Sequence, residues 1–165
     1  MSTMFAFTKS FNQDIGEWDV SSVTSMSQVF AYSIFSNDLS KWDVSKVTSM
    51  TQMFQANRNF NQDISNWNVS NVTNMANMFL GASSFNKPLN TWNVSNVTNM
   101  RGMFQGAGSF NQKLNDWDVS NLTDMSAMFA GNLNWHSSSD YSYPFDQDLN
   151  SCDVSKVTNM QSMFE

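Results

Sequence analysis

Five tryptophans, Trp18, Trp42, Trp67, Trp92 and Trp117, stand 24, 25, 25 and 25 residues apart, and Cys152 takes the next equivalent position after an interval of 35. Around these anchors the chain repeats one unit, Phe-Asn-Gln-Asp-Ile/Leu-x-x-Trp-Asp/Asn-Val-Ser-x-Val-Thr-x-Met-x-x-Met-Phe, followed by a short stretch bearing Gly and Ala. The Val after the anchor is Val20, Val44, Val69, Val94, Val119 and Val154, and each unit closes on Phe30, Phe54, Phe79, Phe104, Phe129 or Phe164. A unit this short is unable to bury its own apolar side chains, so successive units must stack and share one core. The expected fold is therefore a repeat solenoid of about six 25-residue units, a single array over residues 1–165 with an inserted loop at about 130–144.

Within a unit, the alternation Ile/Leu-x-x-Trp-x-Val predicts a short strand with Trp and Val on one side and the intervening Asp or Asn on the other. Short parallel strands would then pair from unit to unit. The following Ser-x-Val-Thr-x-Met-x-x-Met-Phe fits a turn and then either a second short strand or a short helical piece. The chain contains 22 Asn and 26 Ser, residues whose short polar side chains bond to nearby amides where a backbone bends. On this reading the Ser column (Ser21, Ser45, Ser70, Ser95, Ser120, Ser155) caps the bend. The Asn column after the first Phe (Asn12, Asn61, Asn86, Asn111) forms a ladder, with Ser36 and Asp146 as substitutes.

Composition excludes several functions. Charged residues make up 13% of the chain and the net charge is −6, so no nucleic-acid partner is expected, because phosphate neutralisation needs clustered Lys and Arg. One Cys and one His leave no Cys-based zinc site and no multi-histidine centre. Neither a metal nor another cofactor is expected. No apolar run approaches the roughly 18 to 20 residues of a membrane span, so direct membrane insertion is not expected. The segment Met1 to Lys9 lacks the basic start and long apolar stretch of a signal peptide. Both ends fall at the Met-x-x-Met-Phe signature, Met1 to Phe5 and Met160 to Phe164. With no polar cap, the chain reads as a fragment of a longer array or as one whose ends associate with another copy.

Chemistry specific to this chain must come from outside the repeated structural columns, and two places qualify. The insertion carries Trp135, His136, Tyr141 and Tyr143, and an aromatic loop on a repeat array can form an interaction hot spot or stack on a sugar. His136 with Ser137 and Asp140 lacks the strained elbow and oxyanion hole of a hydrolase, so no enzyme activity is expected. The second place is the exposed side of the expected strand. There the residue before each anchor varies (Glu17, Lys41, Asn66, Thr91, Asp116, Ser151), and Asp19, Asp43, Asn68, Asn93, Asp118 and Asp153 follow the anchors as an outward ladder. Half of that ladder's members among the central units are neutral, and no Gly-Asp calcium-loop pattern accompanies it, which disfavours calcium. A Thr column (Thr24, Thr48, Thr73, Thr98, Thr123, Thr158) gives ice binding as a minor alternative, though it lacks a paired Thr-x-Thr.

The segment Phe60 to Phe79, Phe-Asn-Gln-Asp-Ile-Ser-Asn-Trp-Asn-Val-Ser-Asn-Val-Thr-Asn-Met-Ala-Asn-Met-Phe, resembles the bacterial surface-protein repeat of about 26 residues, DUF285. The frame Leu39-x-x-Trp42-x-Val44-x-x-Val47-Thr48-x-Met50-x-x-Met53-Phe54 is also similar to BspA-like leucine-rich repeats, with Trp for Ile, Ser for Pro and Met-Phe for Ala-Phe. The resemblance implies a leucine-rich-repeat-like, right-handed coil and a cell-surface or secreted protein that binds or adheres; it implies no catalytic residues. The expected function is thus a non-enzymatic binding or adhesion domain that presents a solenoid face and one aromatic loop to a protein or glycan. The alternative is a structural spacer that self-associates end to end.

Overall fold

A computed structural model describes residues 1–131 and 145–165. Its described residues form no helix and no extended strand; each unit is a succession of tight turns. Single-residue parallel bridges link the units in register, Ser25 to Ser49, Ser49 to Asn74, Asn74 to Asn99, Asn99 to Asp124 and Asp124 to Asn159. Each bridge lies one residue before the first Met of the signature.

The expected strand at Ile/Leu-x-x-Trp-x-Val is corrected by this arrangement. The Trp42 amide donates to the Leu39 carbonyl at 3.0 Å, and Trp67 does the same to Ile64 at 3.1 Å. The three-residue spacing that placed both side chains inward is therefore the closure of a turn. A second turn follows at once, with Val47 N–H to Val44 C=O at 2.9 Å and Val72 N–H to Val69 C=O at 2.9 Å. Parallel pairing is present but confined to one position per unit.

The signature Met-x-x-Met-Phe-x-x is likewise neither strand nor helix. Gln28, Gln52, Asn77, Gly102 and Ala127 all have left-handed backbone, as do Phe7, Tyr32, Ala56, Gly81 and Gly106 two residues beyond the signature Phe. Each bends the chain as the third residue of a turn, as in Val29 N–H to Met26 C=O at 3.3 Å. Left-handed backbone is costly for a residue with a Cβ. Contacts between units hold it in place: Gln28 N–H donates to Thr51 C=O at 2.9 Å and Phe30 N–H to Met53 C=O at 2.9 Å, and each later unit repeats the pattern.

Inter-unit amide bonds run in two opposed directions. Along the signature each unit donates to the next, as from Met75 to Asn99 at 2.9 Å; at the Thr column each unit donates back, as from Thr73 to Thr48 at 2.9 Å. Stacking thus satisfies the polar backbone that the turns leave open.

The core lies inside the turns and is aromatic. Phe5, Phe30, Phe54, Phe79, Phe104, Phe129 and Phe164 stack face to face at centroid spacings of 5.6 to 5.8 Å. A second stack, Phe60, Phe85, Phe110 and Phe145, runs beside it at 6.0 to 6.3 Å. Within a unit the two rings meet at about 4 Å, as in Phe79–Phe85 at 4.0 Å. Trp42, Trp67, Trp92 and Trp117 are buried against this core. Each indole N–H donates to the Ile or Leu carbonyl of the preceding unit, at 3.0, 3.0, 3.0 and 2.9 Å. That bond satisfies the one polar atom of an otherwise apolar side chain.

Candidate functional site

The exposed turns around the anchor Trp form the face on which sequence variation falls. The Asp/Asn after each anchor caps its own bend: the amides of Ser21, Ser45, Ser70, Ser95, Ser120 and Ser155 donate to the Oδ1 atoms of Asp19, Asp43, Asn68, Asn93, Asp118 and Asp153 at 3.0 to 3.2 Å. These are Asx turns. The cap is therefore the Asx carboxyl or amide, and the following Ser supplies the donor, the reverse of the assignment made from sequence. The hydroxyl and amide of Ser21, Ser45 and Ser120 hold the carboxyls of Asp19, Asp43 and Asp118 below their ordinary range. The amide and hydroxyl of Ser155 do the same for Asp153.

The Asn ladder behaves as expected. Asn61 Oδ1 accepts from the Asn86 amide and Asn86 Oδ1 from Asn111, both at 3.0 Å, and Asn111 Oδ1 accepts from Asp146 at 3.2 Å. At the Thr column the hydroxyls of Thr48, Thr73, Thr98, Thr123 and Thr158 donate to the preceding unit's Thr carbonyl, as from Thr98 Oγ1 to Thr73 C=O at 3.2 Å.

All six pre-anchor residues are exposed, and most reach back to the unit before them. Lys41 pairs with Glu17, which raises the Lys41 pKa. Asn66 Nδ2 donates to Ser40 C=O at 2.7 Å, Thr91 Oγ1 to Ser65 C=O at 2.8 Å, and Ser151 Oγ to Asn115 C=O at 2.5 Å. Asp116 and Asn90 exchange two bonds: Asn90 Nδ2 donates to the Asp116 carboxylate, and the Asp116 amide donates to Asn90 Oδ1 at 3.1 Å. The column is a row of polar ties between units whose chemistry changes at each step.

On this face one concavity of about 420 Å³ opens between the second and third anchor turns, lined by Asp38, Ser40, Gln62, Asp63, Ser65 and Asn66. Of the residues expected from sequence it includes Asn66, and Lys41 lies next to it in the chain. The other five were missed, although for Asp38 and Asp63 a signal was present. Their column before Ile/Leu reads Asp14, Asp38, Asp63, Pro88, Lys113 and Asp148, and it varies as the pre-anchor column does. Asp38 accepts from Ser40 N and Oγ at 2.8 and 3.0 Å. Asp63 accepts from Ser65 N at 2.9 Å, and the Ser65 amide and hydroxyl lower its pKa. Two carboxylates, with amide and hydroxyl groups around them, make an acceptor-rich groove that repels anions.

Trp135, His136, Tyr141 and Tyr143 lie outside the described residues. Among the described residues no cluster of three or more His, Cys, Asp or Glu side chains is placed to hold a metal ion. No helix there is long and apolar enough to cross a membrane.

The family model described as "Mycoplasma protein of unknown function, DUF285" matches residues 1–56, 31–141 and 91–165, overlapping segments that together span the chain. No curated protein and no solved structure matches it.

Proposed function

The chain belongs to the DUF285 family, and from that premise we propose a non-enzymatic binding domain, a leucine-rich-repeat-like solenoid that presents its anchor-turn face to a glycan at a cell surface. The observation that carries this reading is the groove of Asp38, Ser40, Gln62, Asp63, Ser65 and Asn66. The recurrent columns are occupied with holding the stack, through ring stacking, Asx turns and amide ladders. The groove forms where two variable columns run side by side in the open. Its carboxylates and amides suit the hydroxyl groups of a neutral sugar, because a carboxylate accepts from hydroxyls strongly and repels an anionic ligand.

A glycan array followed by calorimetry on the best neutral oligosaccharide tests the proposal. Gln62→Ala with Asn66→Ala is expected to weaken binding about tenfold or more, for the loss of two polar contacts. Full retention of affinity would refute the groove. Loss instead on deleting residues 133–143 would move the site to the insertion. Capture of a protein with no sugar bound would replace the glycan by a protein partner on the same face.

A second reading, end-to-end association as a spacer, draws on the distribution of exposed apolar side chains. Met4, Phe7, Trp18, Tyr32 and Ile34 lie toward one end of the stack and Val154, Met160 and Phe164 toward the other. Sedimentation velocity over a concentration series separates the two readings, since a self-associating chain gains mass with concentration and a glycan binder does not.

A further inference from the structure

The anchor column defines a slot that is filled by an indole in four successive units. In each, the indole N–H reaches the Ile or Leu carbonyl of the unit before: Trp42 to Ile15, Trp67 to Leu39, Trp92 to Ile64 and Trp117 to Leu89, at 2.9 to 3.0 Å. The next carbonyl in that series belongs to Leu114. It accepts the Trp117 amide at 3.1 Å, as its counterparts accept their own turn amides, but the residue in the anchor position is Cys152. A thiol side chain is shorter than an indole by a bicyclic ring, and among the described residues no indole donor reaches Leu114.

A cavity of about 270 Å³ lies at this place, walled by Leu114, Trp117, Phe129, Leu149, Cys152 and Val154 among others, nearly all apolar. For scale, an engineered apolar cavity of about 150 Å³ takes up benzene. The space suits a ring system larger than benzene, and Leu114, whose carbonyl is the next in the indole-accepting series, is one of its lining residues.

We propose that this cavity is a binding site for a planar heteroaromatic with one N–H donor, of the indole class, seated as Trp117 is seated one unit earlier, with its N–H on the Leu114 carbonyl and its faces between the apolar walls. The preceding units supply the argument for the occupant, because the same backbone frame holds an indole there four times. The site is separate from the anchor-turn groove, so its failure leaves the proposed glycan function untouched. Burial raises the Cys152 pKa above its ordinary value, which keeps the half-buried thiol protonated and apolar at neutral pH.

Indole itself is the probe, titrated into the full chain by calorimetry and by ligand-observed saturation-transfer NMR. Saturable binding is expected, with 1-methylindole about threefold to tenfold weaker because it lacks the donor. Cys152→Trp, which restores the residue of the other units, is expected to abolish binding while raising the melting temperature. Should that variant fold poorly, the unmodified chain still decides the matter, since bound indole is expected to slow alkylation of Cys152 several-fold. No saturable binding, binding unchanged in Cys152→Trp, equal affinity for 1-methylindole, or alkylation indifferent to indole would each overturn the assignment.

Discussion

Replacing Phe79 with Ala and, separately, Phe164 with Ala compares one residue type in one column at two depths of the stack. Phe79 is fully buried and its ring meets Phe54 at 5.6 Å, Phe85 at 4.0 Å and Phe104 at 5.7 Å. Phe164 is 62% exposed and stacks on Phe129 at 5.6 Å. A buried Phe to Ala change costs about 3–5 kcal/mol, combining lost transfer energy with the cavity left behind. Burying a Phe fully is worth about 1.5–3 kcal/mol. Retaining roughly a third of that burial puts Phe164→Ala at about 1 kcal/mol or less. Against a total of about 5–15 kcal/mol for an ordinary domain, the central change removes a large share. Urea titration followed by tryptophan fluorescence reads both. Phe79→Ala is also expected to lower the slope of the transition, because a broken middle unit lets the two halves unfold apart. Equal losses at the two positions, or a cost below about 1 kcal/mol at Phe79, would refute a stability carried by stacked units.

Three further outcomes follow from the turns. Asn68→Ala removes the acceptor for Ser70 N–H and Oγ and is expected to cost about 1 kcal/mol, as for other side-chain caps. Asn68→Asp should be close to neutral in a thermal melt, because Asp43 and Asp118 make the same turn. Ala56 has φ of 53° where Gly81 and Gly106 stand in later units; Ala56→Gly is expected to gain about 0.5–1 kcal/mol, as relief of left-handed strain outweighs the added chain entropy. Asp19, Asp43, Asp63, Asp118 and Asp153 have folded-state pKa values below the ordinary one. Their contribution is present above an unfolded pKa of about 3.9 and is lost as pH falls through the folded values. The melting temperature should therefore hold between pH 7 and about pH 5 and fall below about pH 4; the same value at pH 3 and pH 7 would contradict this.

Much of the core was legible from the repeat. The Phe, Met, Val and Trp columns are buried through the central units and exposed in part in the first and last, and the Asn ladder follows the column that named it. The strand at Ile/Leu-x-x-Trp-x-Val was not legible, because side chains three apart on one side fit a tight turn as well as they fit the start of a strand. Which fits depends on where the amides go, and the Trp42 amide goes to Leu39 within its own turn. Of the candidate site, one residue was legible. Asn66 stood out as a varying position, whereas Asp38 and Asp63 were passed over, since an Asp in a polar turn carries no mark of the groove its neighbours complete.

By itself the sequence determined that units of about 25 residues must stack, which side chains they share, and that the family is DUF285. The stacking and the shared side chains follow from period and chemistry alone, because a unit unable to bury its apolar side chains has to do so against its copies. Tertiary structure decided the rest. It confined parallel pairing to one residue per unit, set two opposed directions of inter-unit hydrogen bonding, opened the groove beside Asn66, and left an apolar cavity lined by Leu114 and Cys152, where Cys152 replaces Trp. Each of these depends on the distance between atoms of neighbouring units, a quantity fixed only when one unit is packed on the next.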